Sequence, residues 1–200
     1  MNLQQLYPAV ARVREGGYTP SPKEAGFLRA YPTLLAAVRM EARDPMDAFL
    51  RAASLAYGWM PRSLRIDEAS LPRAVESFAE ARGEGVIISE ALIAPIAACL
   101  SSVVGASKVL HLANPGVFPM WGKRVERFRL HQGPTPYHMG QPRHYLQFVE
   151  DVWSLTSDPH FLTFHHEYCT AYQERLQRLR IAPYPLTEPR VVQSATCELA

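Results

Sequence analysis

Prolines and glycines divide this chain into short segments, and nearly every segment carries apolar residues at helical spacing. The 200 residues include 17 prolines and 11 glycines. Several prolines directly follow or lie close behind a helix-capping residue, as in Ser21-Pro22, Asp44-Pro45 and Ser70-Leu71-Pro72, and proline is favoured in the first turn of a helix. Strand signals are nearly absent, since only residues 85–88 resemble a short strand. The pattern predicts a compact all-α protein built from many helices.

The apolar spacing places the predicted helices along most of the chain. We expect a single all-helical domain over residues 1–182, in which the most apolar helix, residues 90–104 with Ser89 as its cap, is central and buried. Residues 183–200 contain three prolines and are expected to form an irregular C-terminal tail. The other predicted helices are residues 2–15 (ending at Gly16-Gly17), three that start at Ser21, Asp44 and Ser70, and residues 107–113, 121–130, 142–155 and 159–179, with a loop at 133–141.

The composition excludes several classes of protein. Hydrophobic residues make up 48% of the chain and charged residues 20%, which excludes disordered and fibrous proteins. The apolar run from Ala91 to Leu100 is interrupted by Pro95 and is shorter than the ~20 residues that a membrane span needs. The N-terminus has no secretory-signal pattern, and the three cysteines show no CxxC spacing. We therefore expect a cytoplasmic protein with no membrane partner, cofactor or metal.

Positive charge is concentrated in one part of the chain. Residues 105–148 contain six lysines and arginines but a single acid, Glu126, whereas the whole chain has a net charge of only +2. A cationic segment on a nearly neutral protein is compatible with an anionic ligand or with nucleic acid. The same charges are also compatible with an ordinary solvated face of the protein.

Residues 100–130, LSSVVGASKVLHLANPGVFPMWGKRVERFRL, carry the most informative motif. The segment resembles the helix-hairpin-helix DNA glycosylases, a family of compact all-helical proteins. In that family a glycine-containing hairpin binds a DNA phosphate through backbone amides, a lysine attacks the sugar in some members, and a later turn supplies an aspartate. Gly105 and Lys108 match the hairpin positions, and Phe118 to Val125 match the later turn. The resemblance implies DNA binding, and Lys108 is the expected nucleophile or charge stabiliser.

The match departs from the family pattern where the family has its aspartate, because Gly122 occupies that position. Glycine can neither stabilise a cationic sugar nor position a water molecule, so the resemblance implies an altered or lost active site. The segment also resembles glycosylase-related proteins of phage thymidine-hypermodification systems. That second resemblance would allow DNA binding without base excision. Whether this protein is an enzyme, of the glycosylase, lyase or modified-base transferase kind, remains open at this stage.

The candidate interface follows from the motif and the basic segment. Tyr57 and Trp59, two large aromatic residues around a glycine at a helix end, could stack on an extruded base, or they could fill the end of the core. The alternative function is a non-catalytic helical protein-interaction module, in which a basic or aromatic face binds a protein partner. The predicted DNA-binding residues are Gly105, Ala106, Ser107, Lys123, Arg124, Arg127 and Arg129, and the predicted base-stacking residues are Tyr57, Trp59 and Trp121.

Two histidine-bearing segments are further candidate sites. His165 and Cys169 lie one helical turn apart, but a structural metal site needs four ligands and the sequence offers no second pair at suitable spacing. The loop at 133–141, with Tyr137 and His138, could contact a ligand or simply be a polar surface loop. These patterns do not identify the target base, the oligomeric state or the pathway.

Overall fold

The computed structural model describes residues 1–15, 19–60 and 63–200, and these residues form helices and connecting loops without any strand. The predicted all-α class is therefore confirmed for the described chain. The predicted stop at Gly16-Gly17 lies outside the described residues. The helices are α1 (Leu3–Leu6), α2 (Pro8–Arg14), α3 (Pro22–Arg39), α4 (Pro45–Trp59), α5 (Leu71–Ala81), α6 (Glu90–Cys99), α7 (Val103–Ala113), α8 (Lys123–Leu130), α9 (Pro136–Met139), α10 (Pro142–Thr156), α11 (Phe161–Arg178) and α12 (Glu188–Leu199).

Side-chain caps begin α3, α4 and α6 where the sequence predicted them, whereas Ser70 begins α5 without a side-chain cap hydrogen bond. The Ser21 hydroxyl accepts from the amide of Glu24, whose carboxylate accepts from the Ser21 amide in return, a capping box at the start of α3. Asp44 caps α4 by accepting from the Asp47 amide at 2.8 Å. Ser89 caps α6 in the same way. These bonds satisfy amides that a helix leaves without internal partners.

The predicted helix 90–104 is two helices. α6 ends in a Schellman motif, in which Ser101 adopts a left-handed φ of +48° and the amides of Ser101 and Ser102 donate to the carbonyls of Ala98 and Ala97. Ser102 then caps α7, accepting from the Gly105 amide at 3.0 Å. The apolar run hides this break, because the left-handed position holds a serine and not the usual glycine.

Helix α7 is central to the fold. It packs against α3, α4, α5, α6 and α10, and most of its side chains are buried. Among the described residues no single helix is long and apolar enough to cross a membrane; α6 and α7 together reach that length and composition but bend by 113° at their junction.

The prediction of an irregular tail at 183–200 is wrong for most of that segment. Residues 188–199 form α12, which packs against α1, α2, α8, α10 and α11. Val191, Val192 and Ala195 on this helix are fully buried. Pro189 does not break the helix, because it lies in the first turn where its missing amide costs no hydrogen bond. The helical structure therefore continues to Leu199.

Smaller differences occur around the predicted loop 133–141. It contains the four-residue helix α9, which Thr135 caps through the His138 amide. Helix α8 begins at Lys123, two residues later than predicted, because Gly122 is its N-cap in an extended conformation. A left-handed residue, His131 with φ +54°, ends α8.

Candidate functional site

The predicted phosphate-binding turn at Gly105 is not a turn. Gly105 lies in the first turn of α7, and the amides of Gly105 and Ala106 donate to the side chain and carbonyl of Ser102. Ala106 and Ser107 are fully buried. The Ser107 hydroxyl accepts from the Trp121 amide at 3.1 Å and donates to the Val104 carbonyl at 2.8 Å. The prediction that Gly105, Ala106 and Ser107 contact DNA is therefore wrong, because these groups are committed inside the protein.

The glycine at position 105 allows Tyr57 to pack closely against α7. It does not form a turn. A Cβ atom at this position would lie 2.5 Å from the Tyr57 hydroxyl and 3.0 Å from its ring carbon Cζ. Tyr57 is itself only 5% exposed, and its hydroxyl donates to the Leu100 carbonyl at 3.1 Å. The prediction that Tyr57 stacks on a base is wrong, since its ring joins α4 to α7 within the core.

Trp121 and Arg129, two further predicted contacts, belong to a buried polar network. Trp121 is 2% exposed and its indole N–H donates to Glu126 at 2.7 Å. Arg129 donates to Asp151 through Nε at 3.0 Å and through Nη2 at 2.6 Å, and it also binds Glu126. The guanidinium lies 5.5 Å from the centre of the Phe148 ring. Both predictions are wrong, because Trp121 and Arg129 hold α8 against α10.

Glu126 is the centre of this network and was missed as a structural residue. It is fully buried, and besides Trp121 and Arg129 it accepts from His138 Nε2 at 2.7 Å. His138 in turn stacks on His144, with ring centres 3.8 Å apart. The sequence feature that could have identified Glu126 is its position as the single acid in the basic segment, residues 105–148. The network secures helix α9 to α8 and α10.

Four predicted cationic residues remain at the surface or beside a cavity. Lys123, Arg124 and Arg127 are exposed on α8, and Lys108 on α7 is half-buried. Arg124 donates to the Cys197 carbonyl at 2.6 Å, which joins α8 to the end of α12. Lys108 and Lys123 line the same cavity, so the structure brings together two of the positions that the sequence singled out.

That cavity, which we call the lysine cleft, has a volume of about 720 Å³. It lies where α7 and α8 begin, and none of the described residues that line it is acidic. The start of a helix carries unpaired amides and a partial positive charge, which favours anions. The lysine cleft is therefore cationic from both its side chains and its backbone. Its walls include Met60, Ala97, Ala98, Ser101, Ser102, Val103, Val104, Lys108, Gly122, Lys123, Met139 and Pro142.

A second cavity of about 450 Å³ adjoins the first, and we call it the tryptophan pocket. Met60, Lys108, Gly122 and Lys123 line both cavities. Trp59 lines the tryptophan pocket and is half-buried, so its role as a base-stacking residue stays a prediction. The other walls include Glu24, Phe27, Leu28, Tyr172, Arg175, Arg190, Gln193 and Glu198.

Arg190 was missed by sequence reasoning because it lies in the segment predicted to be irregular. Its guanidinium lies 4.9 Å from the centre of the Tyr31 ring, and its Nη1 donates to the Gln193 side chain.

The Tyr31 hydroxyl donates to His111 Nε2 at 2.8 Å, while His111 Nδ1 donates to the Phe118 carbonyl at 2.7 Å. Burial, with the nearby charge of Arg190, lowers the pKa of His111 to about 3, so this imidazole is neutral at physiological pH.

His165 and Cys169 on α11 do not belong to a metal-binding cluster of described residues. Cys169 Sγ lies 3.7 Å from His165 Nε2. Within residues 1–15, 19–60 and 63–200, no group of three or more histidine, cysteine or acidic side chains is placed to hold a metal ion.

No model of a known protein family matches the chain, and no curated protein or solved structure matches it either. The resemblance of residues 100–130 to the helix-hairpin-helix glycosylases therefore stays a prediction. The function has to be inferred from the geometry of the lysine cleft and its surroundings.

Proposed function

We propose that this protein binds DNA, with phosphates of the backbone seated in the lysine cleft. The observation that carries the proposal is the convergence of Lys108, Lys123 and the first turns of α7 and α8 on one cavity whose described lining residues include no acid. Lysine ammonium groups and helix N-termini are both established phosphate-binding elements. A cleft whose described lining residues carry no carboxylate suits a polyanion.

Exposed arginines extend the cationic surface beyond the cleft. Arg124 and Arg127 follow Lys123 along the first two turns of α8, and both are exposed. Residues three or four apart lie on the same helix face, so Lys123 and Arg127 present their charges together. Arg143, exposed near the start of α10, lies next to Pro142 of the cleft wall. A duplex or single strand that lies across the cleft would meet this second row of cations.

The chemistry available at the cleft differs from that of a glycosylase of the usual kind. Gly122 supplies only backbone at the position where the resemblance expects an aspartate. Base excision assisted by that carboxylate is therefore not part of the proposal. Lys108 lines both cavities, which gives it the placement to stabilise a phosphate and, when neutral, to attack a sugar aldehyde as a nucleophile.

Salt-dependent binding to DNA tests the proposal. Fluorescence anisotropy of a labelled duplex and a labelled single strand should give an affinity that falls with salt, with a slope of about −0.9 per phosphate neutralised on duplex DNA. Lys123→Gln and Arg127→Gln should each weaken binding several-fold and reduce the slope by about one. Arg73→Gln, the same charge change at an exposed position on α5, is the matched control and should leave both quantities unchanged.

Equal losses in Arg73→Gln and Lys123→Gln would contradict the cleft as the binding site. Affinity that does not respond to salt would favour the protein-interaction alternative. Sugar-directed chemistry is tested separately by borohydride trapping on abasic DNA, where Lys108→Arg keeps the positive charge but cannot form an imine. Trapping by wild type and not by Lys108→Arg would assign the nucleophile, whereas an absence of trapping would limit the proposal to binding.

A further inference from the structure

Four buried side-chain polar atoms lack a hydrogen-bond partner among the described residues, and two of them are donors that belong to residues lining the tryptophan pocket. These two donors are the indole N–H of Trp59 on α4 and the Nε–H of Arg190 on α12. Both residues line the pocket. Buried donors in folded proteins nearly always have a partner, and a donor without one destabilises the protein. Two such donors on one cavity point to a ligand that supplies acceptors.

Arg190 lacks an ionic partner as well as an acceptor for Nε. Its Nη1 donates to the neutral amide of Gln193, and its guanidinium faces the Tyr31 ring. Across the described residues the structure shows no ion pair to Arg190. Arg190 is half-buried, and a cation that is partly withdrawn from water is costly unless an anion or strong acceptors compensate it.

The acids that line the pocket are already engaged. Glu198 binds Arg175 at 2.6 Å. Glu24 accepts from the amide and hydroxyl of Ser21, both at 2.9 Å, in the capping box of α3. Neither carboxylate is therefore placed as the counter-ion of Arg190, which leaves its guanidinium available to an anion that enters the pocket.

The geometry of the Arg190 guanidinium indicates which kind of anion would fit it. With Nη1 bound to Gln193, the Nε and Nη2 side of the guanidinium carries no hydrogen bond to any described residue. This edge matches the two oxygens of a carboxylate, which arginine binds through a pair of parallel hydrogen bonds. The remaining walls include the aromatic rings of Phe27, Trp59 and Tyr172, which suit a flat apolar body.

We infer that the tryptophan pocket binds a small aromatic carboxylate, whose anionic group pairs with Arg190 and whose ring lies against the aromatic walls. The volume of about 450 Å³ is within the range of small-molecule sites. The Trp59 indole N–H supplies a further donor to an oxygen of the ligand. The argument for this site uses neither Lys123 nor the helix starts, although the tryptophan pocket shares Met60, Lys108, Gly122 and Lys123 with the lysine cleft.

Isothermal titration with indole-3-acetate as the probe tests the inference, and indole-3-acetamide serves as its neutral isostere. We expect wild type to bind the acid with a Kd of about 1 mM or tighter. The amide should bind about tenfold more weakly, because it lacks the charge-assisted bonds. This comparison uses the unaltered protein and so does not depend on the folding of a variant.

Variants then locate the site. Arg190→Lys keeps the charge but removes the two-donor edge, and should weaken indole-3-acetate binding about tenfold. Trp59→Phe keeps an aromatic ring but removes the N–H, and should weaken it about fivefold. Arg73→Lys is the control on α5 and should not change the affinity. The inference is overturned by an acid that does not bind at ~10 mM, by an amide that binds as tightly as the acid, or by Arg190→Lys with wild-type affinity.

Discussion

The indole N–H of Trp121 donates to the buried Glu126 carboxylate at 2.7 Å, and this bond begins a network that runs through Arg129 to Asp151 and through His138 to α9. One charge that was expected to face DNA, that of Arg129, is thus used inside the protein. The network leaves Lys123, Arg124 and Arg127 on the outer side of α8.

Glu126→Ala is expected to destabilise the protein by about 3 kcal/mol or more, because it leaves Arg129 without its buried partner and orphans the Trp121 indole. Asp151→Ala removes a partner that is 28% exposed and should cost about 1 kcal/mol. Urea denaturation followed by circular dichroism measures both. Equal losses in the two variants would show that Glu126 is not the centre of the network.

Gly105→Ala is expected to destabilise the protein by about 1–3 kcal/mol, although alanine favours helices, because the new Cβ would overlap the Tyr57 hydroxyl. The Tyr57→Phe change removes the atom at 2.5 Å but leaves the ring carbon at 3.0 Å. In the Tyr57→Phe background, Gly105→Ala should therefore cost less, and the coupling in a double-mutant cycle should be at least ~0.5 kcal/mol. Additive effects of the two changes would contradict close packing at this contact.

Local signals in the sequence were sufficient to predict the helical class and many helix starts. Ser21, Asp44 and Ser89 cap helices where expected, because a cap depends on residues three positions away. Lys108 and Lys123 were also identified as candidates and line one cleft. These features depend on neighbours along the chain, which a sequence displays directly.

The features that were missed depend on partners far away in the chain. The burial of Arg129 requires Asp151, and that of Gly105 requires Tyr57, which lies on another helix. Arg190 reaches the Tyr31 ring across more than half of the chain. Spacing and charge cannot distinguish an arginine that faces solvent from one that faces a carboxylate on another helix.

The packing of helix α12 against the rest of the protein can be tested directly. Val191→Ala and Val192→Ala each remove buried methyl groups and should destabilise the protein by about 2 kcal/mol. Ile87→Ala is the control, because Ile87 is 78% exposed and its truncation should change stability by less than about 0.5 kcal/mol. If all three variants unfold at the wild-type urea concentration, residues 188–199 do not contribute to the core.

His111 should make stability depend on pH. Its folded-state pKa of about 3 lies below the value of about 6.5 for an unfolded histidine, so only the unfolded chain binds a proton here as the pH falls below about 6.5. The stabilisation that neutral His111 provides is complete above that pH and is lost progressively down to pH 3. Between pH 7 and pH 5 this single group should lower the free energy of unfolding by about 2 kcal/mol.

The variant His111→Gln isolates this contribution, since glutamine can donate to the Phe118 carbonyl and accept from Tyr31 but cannot titrate. It should be less stable than wild type at pH 7, and the difference should shrink by about 2 kcal/mol at pH 5. His166→Gln, at an exposed position on α11, is the matched control and should keep the wild-type pH dependence. Urea denaturation at both pH values gives the comparison, and a His111→Gln protein with the full wild-type loss between pH 7 and pH 5 would show that another group causes it.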